Sequence, residues 1–235
     1  MTRILPWRLA FWACLLAAAS AFAHPMERNG ATMNPDWRVV PHIGIGRLVF
    51  GLTPEKVAAV ADPVYGVPTP LIRGAAAAAD TEGLIAQLGP SLSAADISAI
   101  RQAAIDLASL DRQNLEKDRT PILLEYRDGR LDGVTVEARH AETQFRNERI
   151  FSLKAREVLR LFERANGAPG RFRSTEAAFD NLAVSLFAFS RVSPDGKVLV
   201  LRADDPDFAE RSVTLRRTPY RPANEMDQFV TASFD

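Results

Sequence analysis

The sequence has few of the side chains that perform nucleophilic or metal-dependent chemistry. Its 235 residues include one cysteine and three histidines. Cys14 lies in an N-terminal segment that we expect to be cleaved off, which would leave a cysteine-free mature chain with no disulfide and no thiol nucleophile. His24, His42 and His140 stand in no recognisable nucleophile setting, and no Gly-x-Ser-x-Gly elbow is present. The sequence therefore predicts a protein that is not an enzyme, with no catalytic residues, no cofactor and no metal.

Nor is there an excess of charge of one sign, because 29 basic residues stand against 29 acidic ones. A nucleic-acid partner is not expected, since such proteins carry basic patches. The run Asp204–Asp207 gathers carboxylates that could hold a hard cation, but it lacks the glycine and the distal glutamate of an EF-hand loop. A solvated acidic turn is favoured there, and cation binding stays open.

Long apolar runs are confined to the N-terminus, where residues 1–23 have the pattern of a secretory signal peptide. Arg3 and Arg8 are its positive region, an apolar run follows, and Ala21-Phe22-Ala23 supplies the small residues at the cleavage site. The alternatives are a retained anchor and a lipoprotein signal. The apolar run of about 15 residues is shorter than a bilayer requires, and the residues before Cys14 lack the expected leucine. We expect a periplasmic protein without a transmembrane segment after cleavage.

Residues 44–60 have the pattern of a strand, a glycine turn and a short helix. Thr53 stands at the helix N-cap, Pro54 at the first helical position and Glu55 in the first turn, where the helix dipole favours an acid. A degenerate copy about 101 positions later suggests an internal repeat, although chance similarity stays open. The matched apolar residues are Phe50 with Phe151, Leu52 with Leu153, and Val57 with Val158.

Helices and strands follow each copy. Helices are expected after Asp80 and after Ser93, where Asp96 completes a capping-box pattern. Alternation predicts a strand over 122–127, Asp128-Gly129 predicts a hairpin turn, and the returning strand covers 131–139. In the second copy we expect a helix ending at Asn166-Gly167, a loop over 170–181, and strands over 183–190, 197–203 and 211–218. An apolar stripe in the second helix is expected to be buried: Ile97, Ile100, Ala104, Leu107 and Leu110.

The predicted fold class is α+β. It comprises two tandem modules, each a short helix plus an antiparallel sheet, with a helical hairpin inserted in the first. The predicted boundaries are a signal peptide over 1–23, a loose lead-in over 24–42, a first module over 43–140 with a helical insert at about 71–118, a second module over 141–218, and a tail over 219–235.

The pattern Gly44-Ile45-Gly46 followed by Phe50-Gly-Leu-Thr-Pro-Glu-Lys-Val57 resembles the opening of small bacterial envelope and immunity-type modules. These include the β-lactamase inhibitor protein fold, the related outer-membrane assembly lipoproteins and many toxin-immunity proteins. The resemblance covers residues 43–60 and, more weakly, 149–162. It implies tandem modules and a non-enzymatic binder.

The function implied by this resemblance is inhibition of a secreted, envelope-attacking effector by an immunity-type protein. The alternative is a periplasmic assembly or scaffold protein that binds an envelope component. In either case the partner is a protein, and the inserted helices are a second candidate surface. The residues expected to contact the partner lie on the outer sheet face and at the hairpin tip: Glu125, Thr135, Glu137 and Arg139 on the face, Asp128 and Arg130 at the tip.

Overall fold

The first half of the chain begins with a small hairpin that leads into a helix. The computed structural model describes residues 34–88, 91–118, 120–221 and 225–235, so the predicted signal segment lies outside it. The Thr53 side chain accepts a hydrogen bond from the Lys56 amide, which caps the first helix as predicted. The first elements are β1 (Val39–Val40), β2 (Gly44–Ile45), β3 (Leu48–Val49) and α1 (Pro54–Ala61).

Three helices and a meander of long strands complete the first half. Ser93 and Asp96 form the predicted capping box at the start of the longest helix. Asp128 and Gly129 both have positive φ, as a type I′ hairpin turn requires. The elements are β4 (Val67–Pro68), α2 (Gly74–Ala77), α3 (Thr81–Leu88), α4 (Ala94–Ala108), β5 (Asp111–Lys117), β6 (Thr120–Arg127) and β7 (Arg130–Glu137).

The second half also contains a hairpin, a helix and strands. Its helix ends at the predicted glycine, since Gly167 adopts φ 68° and its amide bonds to the Glu163 carbonyl. The elements are β8 (Gln144–Phe145), β9 (Glu148–Arg149), α5 (Ala155–Asn166), β10 (Gly170–Arg173), β11 (Glu176–Phe179), β12 (Val184–Phe187), β13 (Ser190–Val192), β14 (Val198–Val200), β15 (Ser212–Arg216) and β16 (Val230–Ala232).

Nine of these strands form one antiparallel sheet, in the order β16-β10-β11-β12-β15-β7-β6-β5-β4. Strands of the first half therefore occupy one side of the sheet and strands of the second half the other. The halves meet where β7 pairs with β15, with Thr135 opposite Thr214. The two threonine hydroxyl oxygens lie 2.8 Å apart and are hydrogen-bonded. The structure confirms a mixed helical and antiparallel fold.

One face of the sheet is the core face. Leu124, Val134, Leu215 and Val184 are opposite one another in successive strands, and all four are buried. Alternation along the strands sends the next residues to the outer face. Apolar side chains of α1 and α5 belong to the same core, which spans both halves: Val57, Val158, Leu159 and Phe162. Residues 34–235 form a single compact unit.

Several strands were not predicted correctly. The helical insert was placed at about 71–118, but its last helix ends at Ala108 and residues 111–117 are β5. The predicted loop over 170–181 contains β10 and β11. The predicted strand 197–203 is shorter and pairs with β13 outside the main sheet, while β12 pairs with β15. The tail contributes β16 at one edge of the sheet.

The apolar stripe on α4 is only half-buried, and α4 has no fully buried residue. Ile105, outside the stripe, is 63% exposed. The expectation of a buried stripe was therefore wrong in degree, because α4 borders charged residues of the sheet, among them Arg112 and Glu125, and has no residue in the core. Within the described residues, no helix combines the length and the apolar character needed to cross a membrane.

Candidate interaction site

The predicted partner-binding residues do not form one patch. Arg130 is the first residue of β7 and Glu137 the last, so Glu137 lies at the end of the strand away from the hairpin tip, whereas Glu125 is opposite Gly133 near the middle. Asp128 is exposed at the tip, and Arg130 donates a 3.3 Å hydrogen bond to the Gly51 carbonyl. Arg139 is exposed in the turn that follows β7.

Three of the predicted residues do lie on the strands as expected, but one of them is buried. Thr135 and Glu137 are half-buried on β7. Glu125, which we expected on a wet surface, is only 7% exposed. This expectation was wrong because Arg112 and Arg216, from two other strands, flank the carboxylate.

Gly133 leaves space for the Glu125 carboxylate. Arg112, Glu125, Gly133 and Arg216 stand opposite one another on β5, β6, β7 and β15, which makes one row across the outer face. A Cβ atom at Gly133 would lie 2.8 Å from Oε2 of Glu125. The missing side chain therefore lets Glu125 extend over β7 towards Arg216, two strands away.

The two arginines in this row keep hydrogen-bond donors that Glu125 does not use. Arg112 Nη2 is 3.7 Å from Oε1, and Arg216 Nη2 is 3.3 Å from Oε2. Both distances exceed the usual length of a charge-assisted hydrogen bond. Each guanidinium has five N–H donors, and the Nε of Arg112 is buried without a partner. Two cations thus share one carboxylate, which leaves an excess of one positive charge.

A groove of about 540 Å³ lies over this row. One wall is the C-terminal part of α4 and the loop after it, which contribute Ala103, Leu107 and Leu110. The other wall is residues 218–221, where the ring of Tyr220 lies 5.0 Å from the guanidinium of Arg216. Burial, foremost, raises the pKa of Tyr220, so its hydroxyl stays neutral at physiological pH. We call this feature, with the Arg112–Glu125–Arg216 row as its floor, the open groove.

Other charged groups line the open groove but have partners. Nε of Arg127 is 3.5 Å from the Asp132 carboxylate, and its Nη1 donates to the Ser109 hydroxyl at 3.1 Å. The Asp106 carboxylate, on the α4 wall, accepts from the neutral Gln102 amide at 3.1 Å and keeps its negative charge. Arg221 and Glu225 also line the groove and are paired with Asp180 and Arg173. On the floor, Arg112 and Arg216 share the Glu125 carboxylate, and among the described residues no other carboxylate lies within 4.0 Å of either guanidinium.

A second arginine cluster on the outer face, in the second half, is fully engaged. Nε and Nη2 of Arg171 donate to the two carboxylate oxygens of Asp180 at 2.9 and 2.8 Å. Arg221 contacts the same carboxylate at 3.0 Å. Burial alone would raise the pKa of Asp180, but the bonds and charges of the two arginines outweigh it and leave the pKa below its usual range.

Arg173 completes this cluster. Its guanidinium is bonded to Glu225 and lies 3.7 Å from Glu176, whose carboxylate accepts a 2.8 Å hydrogen bond from Ser185. The ring of Phe229 covers both arginines, with its centre 4.5 Å from the Arg171 guanidinium and 5.0 Å from that of Arg173. We call Arg171, Arg173, Asp180, Glu225 and Phe229 the closed cluster.

Arg112, Arg216 and Tyr220 were not among the site residues predicted from the sequence. Arg112 fell in the predicted helical insert, so its strand neighbours could not be assigned. Arg216 alternates with Val213 and Leu215 in a predicted strand, and this period-two pattern already placed it on the polar face with Thr214. The pattern did not show that this strand would pair with β7.

His42 and His140 lie in loops, and the acidic run Asp204–Asp207 passes from a turn into a short 3₁₀ helix. His24 lies outside the described residues. Nε2 of His42 lies 2.9 Å from the Asn181 carbonyl oxygen, and His140 stacks on Trp37 with ring centres 5.0 Å apart. Asp205 accepts a 2.7 Å hydrogen bond from the Arg202 amide. In the described part of the chain, no group of three His, Cys, Asp or Glu side chains is placed to hold a metal ion.

Comparison of the chain with protein-family models, with curated proteins and with solved structures gives no match.

Proposed function

We propose that this chain is an exported, non-enzymatic protein-binding protein, and that it acts as an immunity-type inhibitor of an envelope-attacking effector. The export rests on the N-terminal sequence pattern, and the inhibitor role rests on the resemblance of residues 43–60 to envelope and immunity modules. The partner would be held on the outer face of the sheet.

The open groove is the observation that carries this proposal. It combines guanidiniums with unused donors, a tyrosine ring and an apolar helix wall. Arginine and tyrosine are enriched where proteins bind one another, especially in partly desolvated depressions. A rigid nine-stranded sheet supplies a floor that needs little rearrangement on binding.

We further propose that the chain arose by duplication of one hairpin, helix and sheet unit. The hairpins β2–β3 and β8–β9 begin 100 positions apart, at Gly44 and Gln144, and the helices α1 and α5 begin 101 apart, at Pro54 and Ala155. Four strands of the sheet follow α1, namely β4 to β7, and five follow α5, of which β10, β11, β12 and β15 are neighbours in that order. In this scheme α2, α3 and α4 are an insertion between β4 and β5, and this insertion creates the helix wall of the open groove.

The proposed function is tested by capture with the full chain, expressed from its own start so that export and processing take place. The candidate partners are the products of the adjacent genes, expressed one at a time. We expect a stable complex with one secreted effector and loss of that effector's enzymatic activity in the complex. A cell fractionation should find the protein in the periplasm.

Two outcomes would contradict the inhibitor role. Co-purification with outer-membrane assembly machinery or with cell-wall material, without any effector, would favour a scaffold protein instead. A complex that leaves the effector fully active would show binding without inhibition. Retention of the protein in the cytoplasm would contradict the export.

A further inference from the structure

The chemistry of the open groove specifies what a partner must present there. Arg112 and Arg216 lie on either side of Glu125, at distances of 3.7 and 3.3 Å from its two oxygens. A single carboxylate has about four acceptor positions against the ten N–H donors of two guanidiniums. The row therefore has both spare donors and an unneutralised positive charge.

The Nε of Arg112 is buried, but the remaining donors of the two guanidiniums can be reached because both side chains are partly exposed. The Arg112 and Arg216 side chains are 42% and 23% exposed, whereas the Glu125 side chain beneath them is 9% exposed. The carboxylate is thus the buried member of the row, and the cations face the groove. An anion that enters meets donors before it meets the like charge of Glu125.

The walls of the groove favour a carboxylate on a peptide over a small ion. Leu107 and Leu110 on one side and the Tyr220 ring on the other can contact apolar atoms that flank the charged group. A planar carboxylate can accept two parallel hydrogen bonds from a guanidinium fork. The groove volume of about 540 Å³ exceeds what one carboxylate requires, so flanking side chains fit as well.

We propose that the open groove binds the carboxylate of an acidic side chain carried by the partner protein, seated between Arg112 and Arg216. This inference rests on the proposed function, because it names the group through which the partner would be recognised. The acidic side chain brings the row of two arginines and Glu125 to electrical neutrality and accepts the donors that Glu125 leaves unused.

The test uses two acetylated, amidated pentapeptides, Ala-Leu-Glu-Leu-Ala and Ala-Leu-Gln-Leu-Ala, which differ only in the central charge. Inorganic phosphate is the third probe. Each is titrated into the full chain while the Nε–Hε signals of its arginines are followed by NMR. We expect the glutamate peptide to bind about tenfold more tightly than the glutamine peptide, as for hydrogen bonds to charged groups. We also expect it to shift the signals of Arg112 and Arg216.

Variants assign the effect to the groove. Arg112→Gln and Arg216→Gln should each remove most of the tenfold preference for glutamate. Arg101→Gln is the matched control, because it makes the same charge change on α4, at a residue that is ion-paired with Glu82 away from the groove. Arg112→Lys keeps the charge but loses the two parallel donors of the guanidinium, so it should reduce the preference for the glutamate peptide. It replaces Arg112→Gln if that variant does not fold.

Equal binding of the two peptides would overturn the proposal, as would an equal loss in Arg101→Gln. Phosphate binding that matches or exceeds that of the glutamate peptide would assign the groove to a free anion instead.

The inhibitor function and the carboxylate contact can be contradicted independently of each other. If the Arg112→Gln, Arg216→Gln double variant still captures the effector, the inhibitor function stands and the carboxylate contact falls. If the wild-type chain captures no effector but prefers the glutamate peptide, the carboxylate contact stands and the inhibitor function falls.

Discussion

The closed cluster and the open groove both combine arginines, carboxylates and an aromatic ring on the same sheet face, yet the contacts of these side chains differ. In the closed cluster, Arg171 makes two hydrogen bonds shorter than 3 Å with one carboxylate, and Phe229 covers its guanidinium. In the open groove, Arg112 and Arg216 approach Glu125 no closer than 3.3 Å, below a 540 Å³ space. Satisfied and covered arginines contribute to stability, whereas arginines with unused donors are suited to binding.

The difference follows from what each half places over the sheet. The C-terminal residues Glu225 and Phe229 cover Arg171 and Arg173 in the second half. The open groove joins Arg112 of the first half to Arg216 of the second, and the inserted helix α4 lies beside them as a wall rather than a lid. Four substitutions test whether the two regions differ in this way, and they are ordered from the largest expected effect to the smallest.

Asp180→Asn should have the largest effect on stability. It removes the charge that pairs with Arg171 and Arg221, and the Arg171 side chain is only 16% exposed. We expect a loss of roughly 2–3 kcal/mol in the free energy of unfolding at pH 7, measured by urea denaturation, because a poorly solvated guanidinium loses its counter-charge.

The pH dependence of this loss checks its cause. The folded-state pKa of Asp180 is lowered, so its contribution is complete above the ordinary aspartate pKa of about 3.9 and is lost as the pH falls through the lowered value. The difference between wild type and Asp180→Asn should therefore shrink below about pH 4. A difference that does not depend on pH would contradict the electrostatic explanation.

Phe229→Ala should have the next largest effect, because it uncovers both arginines of the closed cluster. We expect a loss of about 1.5–2 kcal/mol in the free energy of unfolding, from two cation–π contacts and the apolar contact area. Phe229→Leu keeps an apolar side chain without a ring. If the leucine variant is as stable as wild type, ring stacking on the arginines contributes nothing.

Glu125→Gln should cost about 1 kcal/mol or less in the free energy of unfolding, although Glu125 is more buried than Asp180. Its contacts with Arg112 and Arg216 are long, and both guanidiniums can turn towards water in the groove. Urea denaturation alongside Asp180→Asn makes the comparison direct. A loss as large as that of Asp180→Asn would show that the open groove is a structural ion-pair network.

Tyr220→Leu should have the smallest effect on folding, about 0.5 kcal/mol in urea denaturation, because its contact with Arg216 is a single stacking interaction of a half-exposed ring. Tyr220→Phe keeps the ring and should match wild type. A stability loss in the phenylalanine variant equal to that of the leucine variant would assign the contribution to the hydroxyl group instead.

Features that depend on a few neighbouring residues were predicted correctly from the sequence. The Ser93–Asp96 capping box, the Asp128-Gly129 turn and the Gly167 helix end all occur as expected, since each depends on neighbouring residues. Strand β5 was missed because its sequence, Asp-Arg-Gln-Asn-Leu-Glu-Lys, has only one apolar residue. It is a strand because β6 pairs along its whole length.

The candidate site was predictable only in part, for a related reason. Glu125 was selected from the alternation of β6, but its burial depends on Arg216, which lies on a strand that is far away in sequence. No local pattern shows that β15 would lie beside β7. The same pairing, together with Gly133, determines which arginine the carboxylate reaches.

The pairing of β7 with β15 has a consequence for truncated forms of the protein. A fragment that stops after residue 140 would keep β7 but lose its neighbour, and the five residues that pair with β15 would present bare amide and carbonyl groups along an eight-residue strand. Such an edge recruits strands from other molecules. Either half produced alone is therefore expected to expose this edge and to self-associate through it.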